Sequence, residues 1–270
     1  MKRLLTASLI LLAIAFGSCT VNNAETDSSL KQYFDSAHVE GCFALLDNIT
    51  GKVTVYNMKV DTQRITPGSS FEIVNAMIGL ESNKILDEKM VVKWDGVQRP
   101  DTQWNKDLDM KQAFSLGAVP YFQEVARRVG RDTMKYWIDT LHYGNMDLSG
   151  PIDSFWLNNT LKVSPDEQLG LMEKLYFDQL PFERRTQDIV SEAMLKEDNT
   201  LYKFSYHAGW GTDPASNPIG WLQGWIVENR HVYFFVTLAK SADKGVDMKT
   251  IPLKITREIL THMGFFKGEK

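Results

Sequence analysis

Two hydrophobic periods alternate along the chain from Gly41 onward. Gly41–Asp47 and Lys52–Asn57 are short apolar-rich runs on either side of Asn48-Ile-Thr-Gly51, the pattern of a β-hairpin. Ile73, Met77 and Leu80 then recur at helical spacing, with Ala76 beside them. A buried helix is therefore predicted after the Pro67-Gly68 corner, and Ser69 sits where turn becomes helix. Lys84–Val92 and Trp94-Asp-Gly96 read as loop or short strands. Met110–Arg128 and Arg131–Leu141 are helical by period, with breaks expected at Pro120 and Gly130. Pro165–Leu175, with Ser164 as its cap, and Gln187–Met194 are two more helices. Leu201–His207, Gly220–Glu228 and His231–Ala239 alternate or run apolar with aromatics, as sheet strands do, and Asn229-Arg230 forms a tight turn between the last two. Pro252–Met263 closes the chain as an amphipathic helix. Strands at both ends around a helical middle predict an α/β (α+β) fold: one sheet built from both termini, flanked by helices, with a helical subdomain inserted.

The first residues carry a different pattern. Lys2 and Arg3 precede the apolar run Leu4–Phe16, which is too short to span a bilayer and is followed by Gly17, Ser18 and Cys19. This resembles the signal and lipobox of bacterial lipoproteins. The resemblance implies a signal peptide over 1–18, cleavage before Cys19, lipid on its thiol, and an exported protein anchored to a bacterial membrane and facing the periplasm or cell exterior. Residues 19–36 are then expected to be anchor and tether, Asn22–Ser29 being polar, with the folded domain over 37–268.

Composition narrows the function classes. The chain has 270 residues, 43% of them hydrophobic, enough for a sizeable core in one domain or two lobes. A net charge of −4 gives no footing for nucleic acid. Of the 2 cysteines, only Cys42 is left if Cys19 carries lipid, so no internal disulfide is expected, and its apolar neighbours suggest a small core residue. His38, His142, His231 and His262 are scattered without metal-ligand spacing, and no metal or cofactor is expected.

The candidate chemistry lies in Thr66–Glu81, TPGSSFEIVNAMIGLE. A serine at the start of a helix faces backbone N–H groups that have no intrahelical partner, and its hydroxyl attacks a carbonyl if a base stands beside it. One turn on, at i+3, is Glu72, where serine acyl-enzymes of the S-x-x-K type carry lysine.

A longer set of motifs resembles the class D (oxacillinase-type) serine β-lactamases of the penicillin-recognising, transpeptidase-like superfamily. The matching text is ITPGSSF with NAMIGLE; VKWDG with a later QWN at Trp104-Asn105; AVPYFQEVARRVG; Tyr143-Gly144-Asn145; GPIDSFWL with Trp156; GWIVE then VYFF; and Ile251-Pro252. It runs in order from about Gly41 to Phe266. The implied fold is an antiparallel sheet flanked by helices, with a helical subdomain and the serine in the cleft between.

The functional positions of the family are changed. Its S-x-x-K, whose lysine is carried as an N-carboxylated base, reads Ser69-Ser70-Phe71-Glu72 here. Its S-x-V reads Gly117-Ala118-Val119, with Ser115 two positions early on another helix face. Its K-T-G reads His207-Ala208-Gly209, and its carboxylate-holding arginine falls on Met248. The resemblance further implies an oxyanion pair from the backbone N–H groups of Ser69 and Trp210, beside Gly209, and a tryptophan, Trp156, that in active members contacts the carboxylated lysine.

Two readings of the altered residues stand side by side. Glu72 is shorter than a carboxylated lysine and its ordinary pKa of about 4.3 makes it a weak base unless buried; alternatively it is a solvated first-turn carboxylate that favours the helix dipole. His207 either joins Ser69 and Glu72 in a rewired serine–histidine–carboxylate set or is an edge or partly packed histidine with no catalytic partner. For Trp156, Phe155 and Trp225 packing is the plain expectation. Three functions follow: a binding protein, with β-lactam hydrolysis lost or impaired, for a peptidoglycan fragment, a β-lactam or a protein partner; a serine acyl-enzyme, β-lactamase or other hydrolase, using Ser69 with His207 and Glu72; or a working class D β-lactamase, which has the best family precedent and the worst motif fit.

Overall fold

The computed structural model describes residues 23–270. The expected signal peptide and Cys19 lie outside them. Among the described residues a seven-stranded sheet runs in the order β1 (Ala24–Thr26), β3 (Lys52–Tyr56), β2 (Glu40–Asp47), β9 (His231–Lys240), β8 (Pro218–Glu228), β7 (Tyr202–Thr212), β6 (Leu195–Asp198). Neighbours are antiparallel except β1 with β3. The sheet is thus closed from both termini, as the strand pattern predicts, because β2 pairs with β9 along its length (Glu40 opposite Lys240 to Asp47 opposite Tyr233).

Both sheet faces are covered, which explains why these strands read as apolar runs rather than a clean alternation. Phe43, Leu45, Leu222, Ile226 and Phe235 point into one core, shared with α1 (Lys31–Ser36) and α9 (Ile251–His262). Cys42, Ala44, Trp221, Trp225, Phe234 and Val236 point into the other, shared with α3 (Glu72–Glu81), α7 (Pro165–Tyr176) and the helical lobe. Cys42 is a fully buried free thiol and burial pushes its pKa up, as suits a core residue. Between β8 and β9, Asn229 and Arg230 both take positive φ (44° and 67°), the geometry of the tight turn expected there.

Two local expectations are corrected. The helical stretch from Met110 does not break at Pro120. It breaks at Gly117, between α4 (Met110–Leu116) and α5 (Val119–Val129), and Pro120 lies in the first turn of α5, where its missing N–H costs nothing. The expected tether over 19–36 is also built into the fold from Ala24 on. Ala24–Thr26 pairs in parallel with Val53–Val55, the Asp27 N–H donates to Val55 O at 2.9 Å, and Leu30 and Phe34 are buried. Edge pairing of this kind uses the backbone, so polar side chains do not forbid it.

The remaining α-helices are α2 (Met58–Asp61), α6 (Arg131–Leu141) after Gly130, and α8 (Arg184–Met194), and β4 (Val91–Val92) forms a separate antiparallel pair with β5 (Leu108–Asp109). The N-terminus of α7 is capped reciprocally: the Ser164 N–H donates to Glu167 Oε2 at 2.9 Å.

One buried carboxyl stands against this packing. Asp61, at the end of α2, is 4% exposed, and its Oδ1 has no partner. Burial, helped by the nearby Asp166 carboxylate, raises its pKa from 3.8 to about 7. A carboxyl whose folded pKa is raised is ionised in the unfolded chain first, so stability falls as pH climbs from about 4 through about 7, and the loss is complete above that. Asp61→Asn removes this term. It is expected to stabilise the protein on the order of 2–4 kcal/mol at pH 8 and little at pH 4, read by urea unfolding at both values; equal effects at the two would contradict the assignment.

Candidate active site around Ser69

Ser69 lies in a 3-10 turn, Gly68–Phe71, that runs directly into α3. The turn is fixed from several sides. The Gly68 N–H donates to Trp156 O (3.1 Å), Trp221 Nε1–H to Thr66 O (3.0 Å), and Gln223 Nε2 to Ser70 O (3.3 Å). Ser70 Oγ donates to Pro67 O (2.8 Å) and accepts from Gln168 Nε2 (3.1 Å). These side chains come from α7 and β8, far along the chain, and Gln168, Gln223 and Trp221 carry no local sequence signal of that role.

Strand β7 passes close across the turn. A Cβ on Gly209 would stand 2.1 Å from Ser70 N, so only glycine lets the strand approach this near. The expected main-chain neighbourhood of Ser69 and Trp210 is therefore present. Trp156 is fully buried and packs on Phe71 (centroids 5.4 Å), its indole N–H unpartnered; Phe155 and Trp225 are core residues as well.

Helix α3 and strand β7 bring Glu72 and His207 together. His207 Nε2 lies 3.4 Å from Glu72 Oε2 and 3.1 Å from Ser69 O, with its ring against Phe114 (centroids 4.1 Å). Both side chains are buried, at 0% and 2% exposure, so Glu72 is not the solvated first-turn carboxylate the sequence allows, and His207 is not an edge residue. Burial pushes the Glu72 carboxyl well above the usual range, with the Ser69 hydroxyl only a smaller opposite influence. Burial, and after it the Lys196 charge, lowers His207 to about 3. Burial thus works against the charged form of both groups.

This arrangement is a poor base for Ser69. A carbonyl oxygen only accepts, so the His207 nitrogen bonded to Ser69 O must carry the hydrogen, and presents N–H rather than a lone pair. Burial also works against the carboxylate form in which Glu72 could take a proton. Ser69 Oγ and both Glu72 oxygens are buried without a partner of their own. Ser69, Glu72 and His207 are in contact, then, but the hydroxyl is not bonded to the imidazole as a serine–histidine–carboxylate triad requires.

Gly117 caps α4 with φ +55°. A Cβ there would lie 3.9 Å from Glu72 Oε2 and 2.8 Å from Trp210 Cζ3, so the place of a second-motif serine is partly taken by the Trp210 ring. Ser115 is exposed and does not replace it, and Lys203 is exposed and paired with Asp198 at 2.9 Å. Met248, 4% exposed, packs in the core shared with α9, near Gly220. The cation at the cleft mouth is the next residue, Lys249, whose Nζ bonds Asp101 Oδ2 at 2.6 Å and lies 4.5 Å from the Trp210 ring. The sequence reading missed both Lys249 and Asp101, 148 positions apart. No group of three or more His, Cys, Asp or Glu among the described residues is placed to hold a metal.

Residues 41–261 match the penicillin binding protein transpeptidase domain family. The chain is 39% identical over 219 residues to the probable β-lactamase YbxI of Bacillus subtilis, covering 81% of this chain and 80% of that protein. It is 31% identical over 203 residues to the regulatory protein BlaR1 of Bacillus licheniformis, covering 75% of this chain and 34% of BlaR1. The solved C-terminal domain of the Bacillus licheniformis BlaR penicillin-receptor superposes with a TM-score of 0.85 at 27% identity, over 90% of this chain and 97% of that one. With the seven-stranded sheet and Ser69 at the head of α3, these matches make the chain a member of the penicillin-binding transpeptidase domain family, of the class D serine β-lactamase-like kind.

Proposed function

We propose that this domain recognises β-lactams or the cell-wall peptides they resemble but hydrolyses β-lactams poorly or not at all, and that it serves as a membrane-tethered binding protein. The observation that carries this reading is the state of the Ser69 centre. The nearest imidazole gives its hydrogen to Ser69 O, and the nearest carboxyl is fully buried, which works against the charged form a base needs. Parts of such a centre act as a unit, and loss of the activator alone costs several orders of magnitude in rate. Glu72, Gly117, His207 and Ala208 all depart from the family pattern at once. The similarity to a penicillin-receptor domain supports a role in binding rather than turnover.

A second reading keeps Ser69 as a nucleophile, with His207 and Glu72 as a rewired base for acyl transfer on a β-lactam, another ester or an amide. Its support is the contact of the three groups within one buried cluster. Intact-mass spectrometry of the full chain with benzylpenicillin, against Ser69→Ala, separates the two. The binding reading predicts no penicilloyl adduct, saturable binding by titration, and a hydrolysis rate equal to that of Ser69→Ala. An adduct that disappears in Ser69→Ala contradicts it and favours the acyl-enzyme, as does labelling of Ser69 by a fluorophosphonate.

The anchor belongs to the same proposal, supported by Lys2-Arg3, the apolar run and Gly17-Ser18-Cys19. No helix among the described residues is long and apolar enough to cross a membrane. Expressed in a bacterium with its own leader, Cys19→Ser is expected to move the protein from the membrane to the soluble fraction. Retention in the membrane fraction would rule out lipid on Cys19 as the anchor.

A further inference from the structure

Ser69 has no exposed surface. The covering residues form a stack. Trp210 Cζ3 and Cη2 lie 2.8 and 2.9 Å from where a Gly117 Cβ would be, and that point is itself 3.9 Å from Glu72 Oε2. The Trp210 ring and the Glu72 carboxyl thus approach the same point beside Gly117. Trp104 stacks on it (centroids 6.1 Å, planes 16° apart), with its Nε1–H donating to Leu116 O at 3.4 Å. Lys249 Nζ sits 4.5 Å from the Trp210 ring and 5.6 Å from the Trp104 ring, and ends on Asp101 Oδ2. The Lys249 side chain is 45% exposed and that of Asp101 17%. Asp101 is at the same time the cap of the 3-10 turn Thr102–Trp104, accepting the Gln103 N–H at 3.2 Å. One carboxylate thus fixes both the lysine and the segment that carries Trp104.

We propose that Asp101, Lys249, Trp104 and Trp210 form a self-made closure over Ser69, in which Asp101 supplies from within the chain the carboxylate that keeps Lys249 and the two indoles in place. This inference rests on the reading that the cleft takes a ligand. The parts suit a reversible closure. A partly exposed ion pair is weak and exchangeable. A cation over two aromatic faces aligns them without covalent constraint. Gly117 leaves the room the Trp210 ring uses, which any side chain there would take away. An anionic ligand opens the closure by competing with Asp101 for Lys249, whereas an uncharged ligand of the same shape has to displace the indoles unaided. Because only the open fraction binds, apparent affinity is reduced by that fraction.

The test uses the full chain in detergent micelles, labelled with 5-fluorotryptophan. Of the 7 tryptophans, the ¹⁹F signals of Trp104 and Trp210 are assigned with Trp104→Phe and Trp210→Phe. Asp101→Asn is expected to move these two signals, make both more sensitive to a solvent quencher, leave the others in place, and tighten benzylpenicillin binding about 3- to 10-fold. Lys249→Met breaks the same contact from the other side and is expected to move the same two signals, which guards against a purely local effect of the Asp101 cap. Unmoved signals in both variants, or unchanged affinity in Asp101→Asn where wild type binds, overturn the closure. If the signals move but neither form binds benzylpenicillin, the closure stands and the ligand reading fails.

Discussion

The desolvation of Glu72 and His207 governs the rest of the site. Placing a carboxyl and an imidazole 3.4 Å apart at nearly zero exposure offers two solutions, an ion pair or a neutral pair. An isolated charge in such a place is costly, and a buried ion pair recovers that cost only with good geometry and further hydrogen bonds. Neither Glu72 oxygen has such bonds, and His207 spends its nitrogen on Ser69 O. Desolvation thus favours the neutral pair, in which the centre is a weak base. The surrounding frame is intact: the Ser69 turn is held by Gln168, Gln223, Trp221 and Trp156, and β7 still crosses it through Gly209. The turn that carries Ser69 is thus held from several elements, while the groups beside its hydroxyl are desolvated.

How far the sequence spoke for itself differed by position. Strands β8 and β9 were legible because both of their faces are buried and the apolar content is nearly continuous. The Ser69 turn was legible because Pro67-Gly68 precedes a helical period that places Ile73, Met77 and Leu80 on one buried face. The break at Pro120 was misread because proline marks both the end of one helix and the start of the next, and here the left-handed Gly117 is the true break. Residues 24–36 were read as tether because edge pairing leaves no hydrophobic pattern, and the two anchors, Leu30 and Phe34, are too few to make one.

Within the site, the identities of Ser69, Glu72, Gly117, His207 and Gly209 came from local motifs, but their chemistry did not. A glutamate in the first turn of a helix looks the same in sequence whether it faces water or β7, so its burial was visible only once the strand was in place. The alignment put a missing cation at Met248, whereas the fold buries Met248 and sends Lys249 to the cleft mouth. Asp101, Trp104, Trp210 and Lys249 meet only through tertiary structure, which no spacing rule captures.

The account turns on which nitrogen of His207 carries the proton, and this is directly measurable by ¹⁵N-imidazole NMR of the full chain, with His207→Asn to assign the signal. The neutral tautomer with hydrogen on Nε2 is predicted at neutral pH, with no titration until the pH falls toward about 3 or the protein unfolds. The tautomer with hydrogen on Nδ1 and a free Nε2 lone pair would contradict it and return Ser69 to the ranks of activated nucleophiles; an imidazolium at neutral pH would contradict the neutral pair.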